Sequence, residues 1–197
     1  AGTGPRMRCT RLGEYTEADG LLLDPNNEDA EAFGDIAKLV SLESLTLPDW
    51  LMNSEELVET IVRTEGDDRE DQIGILRNAV LRARRDFTRN AELSSFMTVD
   101  TPAPFSLTDL IKIIDAESGK LERAESVQAY MRLIERLERL RADRRFAFMF
   151  SNKMAFDNLD EILSFLLRIP VEGKPMTVVD LSGIPSEIID VVVSILS

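Results

Sequence analysis

Hydrophobic residues recur every three or four positions through the middle of the chain, which is the spacing of amphipathic helices. The first apolar stripe predicts a helix of roughly twenty residues and consists of Ile73, Leu76, Val80, Ala83 and Phe87. Two further stripes consist of Leu107, Leu110, Ile111 and Ile114, and of Val127, Tyr130, Ile134, Leu137 and Leu140. We therefore predict a helical insertion over residues 69–145, packed through its apolar stripes.

Polar residues at fixed offsets predict where several helices begin. Asn53 followed by Glu56 forms a capping box, so a helix is expected from Ser54 to about Thr64. The same logic places helix starts at Ser106 with Asp109, at Asn158 with Glu161, and at Ser186. The helix after Ser186 is apolar around most of its circumference, which is typical of a helix buried between layers or one that continues into a larger domain.

Short runs of β-forming residues lie on both sides of the helical part. We predict strands at 21–24, 38–42, 146–150 and 176–181, and a short helix from about Glu28 to Gly34. The prediction at 146–150 depends on alternation of phenylalanine with alanine and methionine. Strands interleaved with helices indicate an α/β fold with a three-layer parallel sheet. Residues 21–64 and 146–197 would form this α/β part, and residues 1–20 a loosely ordered start.

Composition narrows the possible chemistry. The chain has 197 residues, of which 44% are hydrophobic and 30% charged, and this balance is typical of a soluble globular protein. It contains one cysteine, Cys9, and no histidine. A lone cysteine favours the reducing cytoplasm, and no stretch is long and apolar enough to predict a membrane span. Without histidine, Ser-His and Cys-His nucleophile pairs and ordinary zinc sites are excluded.

The net charge of −13 is unevenly distributed. Residues 12–68 carry sixteen acids and two basic residues, whereas residues 120–145 carry eight basic residues and five acids. An acidic average argues against a general nucleic-acid coat, but a local basic face can contact phosphates. The candidates for such contact, or for a subunit interface, are Arg136, Arg139, Arg144 and Arg145. The alternative is that these residues belong to ordinary solvated helix faces.

The sequence contains no phosphate-binding loop of the G-x-x-x-x-G-K-[ST] type, which combines backbone amides, a lysine and a hydroxyl around nucleotide phosphates. Its two Gly-Lys pairs, Gly119-Lys120 and Gly173-Lys174, are followed by leucine and proline. We therefore predict that this chain alone neither binds nor hydrolyses ATP.

Two aspartates follow predicted strands. Asp24 and Asp180 each precede a turn, and Glu28 adds a carboxylate near the first of them. Carboxylates at the carboxyl ends of parallel strands face the crevice where α/β sheets bind ligands, so these three residues are candidates for binding a cofactor or Mg²⁺. The alternative is that each aspartate caps its own turn. We expect both to lie at one edge of a parallel sheet but more than about 10 Å apart, too far to share one Mg²⁺. Trp50 is interpreted as a core anchor.

Five segments, 22–34, 45–57, 106–125, 141–150 and 173–196, resemble in order and spacing the central domain of HerA-type ATPases. These ATPases are hexameric DNA translocases or helicases related to the FtsK and VirB4 motors. In that family the aspartate-proline pair is usually followed by histidine, glycine, glutamate and tyrosine. Here Asn26, Asn27, Glu28 and Asp29 follow instead.

The resemblance implies a partial RecA-like P-loop NTPase sheet with a helical insertion. It places the phosphate loop before the strand at 21–24 and the main acid pair beyond Ser197, so that the chain would be the interior of an ATPase domain. Asp180 would then be structural or adjacent to the metal site. ATP, Mg²⁺, double-stranded DNA, a nuclease partner and a homo-hexamer are implied for the parent protein.

Two other functions remain open from the residues alone. One is a non-catalytic interaction module whose helical part docks a partner protein. The other is a Mg²⁺-dependent enzyme, which would require Asp24, Glu28 and Asp180 to converge in space.

Overall fold

Three parallel strands form a small sheet at one side of the molecule. The computed structural model describes residues 20–28, 32–33, 35–63, 65–88, 90–120, 124–150, 159–167 and 173–196. Within these ranges the strands are β1 (Gly20–Asp24), β2 (Ala37–Val40) and β3 (Met176–Asp180), in the order β1-β3-β2. Both strand pairs are parallel, which confirms the predicted pairing.

Helices make up most of the remaining described chain. They are α1 (Ser54–Ile61), α2 (Asp67–Phe87), α3 (Ala91–Phe96), α4 (Leu107–Ser118), α5 (Ala124–Ala142), α6 (Ala147–Phe150), α7 (Leu159–Leu167) and α8 (Ser186–Leu196), with 3₁₀ turns at Asp49–Leu51 and Arg144–Phe146. We call α2, α4 and α5, which contact one another, the helical bundle. No helix in the described ranges is long and apolar enough to cross a bilayer.

Capping residues set the helix starts as predicted. The Asn53 side chain accepts hydrogen bonds from the backbone N–H groups of Glu55 and Glu56, both at 2.9 Å, and the Glu56 carboxylate accepts from the Asn53 N–H at 2.9 Å. Ser106 caps α4 in the same way through the N–H of Asp109. The helix α1 ends at Ile61. The predicted cap at Asn158, and most of the predicted short helix between Glu28 and Gly34, lie outside the described residues.

The strand predicted at 146–150 is wrong. This segment is a 3₁₀ turn followed by a helical turn, and it begins where Asp143 accepts a hydrogen bond from the N–H of Arg145 at 3.0 Å. A strand with one buried face would alternate buried and exposed positions, but Phe148, Met149 and Phe150 are consecutive and all buried. A helical turn inside the core covers all three side chains.

The buried stripe of α5 only partly coincides with the predicted one. The buried residues are Ala129, Leu133, Leu137 and Leu140, whereas Val127, Tyr130 and Ile134 are half-buried on its flank. The difference follows from packing, because α5 contacts both α2 and α4 and its covered arc is wider than a single stripe. Phe87, predicted as core, is 42% exposed at the end of α2.

Most of the buried apolar residues that the structure describes form one continuous core. It extends from Val40 and Val179 in the sheet to Leu110 and Leu137 in the helical bundle. Trp50 is 2% exposed within it, which confirms its role as a core anchor. The sheet and the helical bundle therefore share one apolar interior.

Candidate functional site

The two strand-end aspartates lie side by side at the carboxyl edge of the sheet. Asp24 of β1 and Asp180 of β3 are register partners. Neighbouring strands lie about 4.8 Å apart, so the expectation of a separation beyond about 10 Å is wrong, while the prediction of a shared edge is confirmed. The Leu181 N–H donates to the Asp24 carbonyl at 2.8 Å and continues the pairing one residue past the strands.

Asp24 organises the loop that follows β1. Its carboxylate accepts hydrogen bonds from the N–H groups of Asn26 and Glu28, both at 3.2 Å, and the side chain is almost fully buried. Asn27 between them has a φ of 57°. Asparagine tolerates this left-handed conformation better than most residues. Glu28, the second of these donors, is exposed.

Asp180 organises the loop that follows β3. One carboxylate oxygen accepts from the backbone N–H of Ser182 at 2.9 Å and from its hydroxyl at 2.6 Å. Both aspartates therefore cap their own turns, as the alternative interpretation held. Among the residues that the structure describes, no group of three or more cysteine or carboxylate side chains could hold a metal ion. Asp24, Glu28 and Asp180 do not form such a group in the described structure.

The candidate arginines do not form one free basic surface. Arg139 is ion-paired with Glu135, and Arg145 with Asp143 at 2.7 Å. Hydrogen bonds from the Arg145 side chain and backbone lower the pKa of Asp143. Arg136 is half-buried and donates to the Thr60 carbonyl at 3.3 Å.

Arg144 is exposed and has no ion pair within the described part of the chain. Acids on the same surface neutralise most of the local positive charge. Two more such ion pairs join Arg132 to Asp68 and Arg141 to Glu138.

Sequence reasoning missed a buried charged centre formed by Arg84. Its side chain is fully buried and donates to the carbonyls of Trp50 at 3.1 Å and Met52 at 2.9 Å, and also to the carbonyl of Val99. A signal was present in the sequence, since Arg84 lies four residues after Val80 and so on the same side of α2.

Two aspartates accompany this arginine. Asp49 is also buried, and burial raises its pKa to about 8 against the opposing effects of backbone hydrogen bonds and of Arg84. Asp100 is exposed and accepts from the N–H of Ser54 at 2.7 Å, and this bond, followed by the nearby arginines, lowers its pKa. Arg84 also carries a lowered pKa, chiefly because of burial.

The fold and the sheet edge place the chain among α/β proteins that carry polar loops at the carboxyl ends of parallel strands, the usual position of ligand sites in this class. The family described as "Helicase HerA, central domain" matches residues 11–197, nearly the whole chain. The chain therefore belongs to the HerA helicase central-domain family, as the resemblance predicted. Comparison with curated proteins found no match.

Proposed function

We propose that the chain is the central part of an ATP-driven DNA translocase or helicase of the HerA type that works in the cytoplasm. The observation that carries this proposal is the family match over residues 11–197. The parallel pairing of β1 and β3, with both loops at one edge, supports it because nucleotides bind at such edges in α/β ATPases. In this proposal the chain contributes part of a RecA-like sheet, a helical insertion at 69–145 and part of a subunit interface.

ATP and Mg²⁺ would act mainly through residues of the longer protein. The given sequence has no G-x-x-x-x-G-K-[ST] motif, and the family resemblance implies a phosphate loop before the strand at 21–24 and a main acid pair beyond Ser197. Asp24 and Asp180 would then shape the loops beside the nucleotide instead of binding the metal directly. Glu28, whose side chain is exposed, is the candidate that could reach a ligand.

Double-stranded DNA, a nuclease partner and a homo-hexamer are proposed from the resemblance. Arg136 donates to a backbone carbonyl, and Arg139 and Arg145 are paired with acids, so a phosphate or a neighbouring subunit would have to displace these partners. Arg144 is the exposed member of the set without an ion pair among the described residues, and we propose it as the first contact.

The test compares this chain with a longer protein that includes its flanking segments. The chain alone, titrated with a fluorescent ATP analogue and Mg²⁺, should show no saturable binding in the micromolar range. The longer protein should hydrolyse ATP, and duplex DNA should stimulate it. Micromolar binding by the chain alone would overturn the placement of the nucleotide motifs, and a longer protein without ATPase activity would overturn the proposed function.

A second candidate function is a non-catalytic interaction module. The observation in its favour is α3, which has no buried residue and exposes 60% of Leu93 and 78% of Phe96. Leu93 and Phe96 lie three residues apart and so on one side of α3, and contiguous exposed apolar patches mark protein contacts. Absence of ATP hydrolysis in the longer protein would favour this candidate.

A further inference from the structure

A buried segment joins the sheet edge to the helical bundle. We call residues 41–53 the strap. It begins directly after β2, at the edge where Asp24 and Asp180 lie, and ends at Asn53, which caps α1. Its four core side chains, each no more than 2% exposed, are Leu45, Leu47, Trp50 and Met52. From Leu45 to Met52 the strap therefore runs largely through the apolar interior, whereas Ser41, Glu43 and Ser44 at its start are exposed.

The first end of the strap touches the loop that follows β3. A methyl group added to Gly183 would lie 3.2 Å from Cδ2 of Leu42. This loop is the one that Asp180 holds through Ser182. A shift of the loop toward the strap would therefore press on the half-buried Leu42 side chain, which would have to move by a few tenths of an ångström.

The far end of the strap is held from the helical side by polar contacts. Arg84 of α2 donates to the carbonyls of Trp50 and Met52. Asp100, in the loop after α3, accepts from the N–H of Ser54 at the start of α1. Arg84 also donates to the Val99 carbonyl, so its guanidinium joins the strap to the loop that carries Asp100.

We call the hydrogen bonds from Arg84 to the carbonyls of Trp50, Met52 and Val99 the joint. Burial of the arginine makes it rigid. Its side chain is fully buried, and so is Trp50, one of the residues whose carbonyl it contacts. A buried carbonyl that loses its donor is destabilising, because water cannot replace the lost hydrogen bond. A charged donor that satisfies three carbonyls from two segments therefore resists separation of these segments more strongly than apolar packing alone.

We propose that the strap is a mechanical linkage that carries displacements of the loop after β3 to the helical bundle, and that Arg84 is the positioning residue at its far joint. The identification of ATP as the ligand that would move this loop rests on the proposed function. The linkage itself does not depend on it, because it is built from contacts that exist without a ligand.

The experiment measures hydrogen exchange of the 197-residue chain without nucleotide. Gly183→Ala pushes on Leu42 from the loop side, and we expect it to change the exchange of amides both in the strap and at residues 97–101 on the far side of Arg84. Gly74→Ala is the matched control, since its added methyl would meet nothing within 4 Å. Because Gly74 lies inside α2, alanine there should slow exchange in that helix slightly, without raising exchange in the strap or at residues 97–101.

Arg84→Lys tests the joint. Lysine keeps the charge but cannot reach three carbonyls in the fork geometry of arginine. We expect exchange in the strap to rise about tenfold or more, as the loss of a charged hydrogen bond implies, and the response of residues 97–101 to Gly183→Ala to disappear. If Arg84→Lys does not fold, Asp100→Ala serves instead, because it removes an exposed side chain next to the joint.

Two results would overturn the proposal. One is that Gly183→Ala changes the strap but leaves residues 97–101 as in the wild type. The other is that Gly183→Ala changes the exchange of residues 97–101 equally in the wild-type background and in Arg84→Lys. Neither result bears on ATP hydrolysis by the longer protein, so failure of the linkage and failure of the proposed function are distinguishable.

Discussion

The buried carboxyl group of Asp49 should make the stability of this protein fall as the pH rises through neutrality. Burial raises the pKa of Asp49 in the folded chain to about 8, from an ordinary value of 3.8. Between these values the folded protein holds a proton that the unfolded chain has released. The free energy of unfolding therefore decreases with pH, and the stability is greatest below the unfolded pKa and is lost toward the folded one.

The expected change in the free energy of unfolding follows from the one proton that Asp49 binds in the folded chain. A full difference of one bound proton gives about 1.4 kcal/mol per pH unit, so the loss between pH 5 and pH 7.5 should be about 3 kcal/mol. The sequence contains no histidine, and no other side chain with an ordinary pKa titrates between pH 5 and pH 7.5. A change in stability in this range can therefore be assigned to Asp49. The carboxylates of Asp100, Asp109 and Asp143 have lowered pKa values, so their contributions change only below this window.

The measurement is urea unfolding at pH 5.0, 6.0, 7.0 and 7.5 at constant ionic strength, for the wild type and for Asp49→Asn. The variant is neutral at every pH, so its stability should be flat across the window and should equal or exceed that of the wild type at pH 7.5. Asp86→Asn is the control, because the Asp86 side chain is 66% exposed. It should keep the wild-type slope.

A flat wild-type profile would show that Asp49 is already ionised at pH 5, which would contradict its burial as a neutral acid. Equal slopes in the wild type and in Asp49→Asn would assign the pH dependence to another group. Either result would refute the reasoning.

Two further predictions concern the helices. Leu137→Asp should unfold the helical bundle, since Leu137 is fully buried and an unpaired buried charge costs several kcal/mol; thermal melting checks this, and Met131→Asp, on the same helix but 55% exposed, should melt near the wild-type temperature. Asn53→Ala should lower the free energy of unfolding by about 1 kcal/mol through loss of the capping box, which urea unfolding measures, and an unchanged midpoint would contradict the role of this cap.

Local chemistry made part of the fold predictable. The capping box at Asn53 and the cap at Ser106 act within three residues of sequence, so the helix starts could be read directly. The shared edge of Asp24 and Asp180 was also predictable, because a strand followed by a turn into a helix requires parallel pairing. In these cases the residues that decide the structure are neighbours in the chain.

The wrong predictions concern residues whose structure depends on contacts with residues distant in sequence. The alternation at 146–150 fits a strand as well as it fits a buried helical turn. The burial of Phe148, Met149 and Phe150 involves residues distant in sequence, among them Leu47, whose N–H donates to the Phe148 carbonyl at 3.0 Å. The separation of Asp24 from Asp180 was overestimated because the register of β1 against β3 cannot be read from either strand alone. Asp49 lies in an acidic part of the sequence, where nothing local distinguishes it from a solvated acid, and the path of the strap through the core buries it.

Asp49 and Arg84 together explain how a charged joint can persist inside an apolar core. An ionised pair at this depth would have to offset the desolvation of two charges, which ion pairing in proteins often fails to do. With its pKa raised to about 8, Asp49 is mostly neutral at pH 7. Arg84 instead donates to three carbonyls through its terminal nitrogens, while its Nε is buried without an acceptor in the described part of the chain. The joint therefore does not depend on an ion pair with Asp49 near neutral pH, and salt should weaken it little. Ionisation of Asp49 at higher pH would draw the guanidinium away from the carbonyls of Trp50 and Met52, so the pH that destabilises the protein should also loosen the far end of the strap.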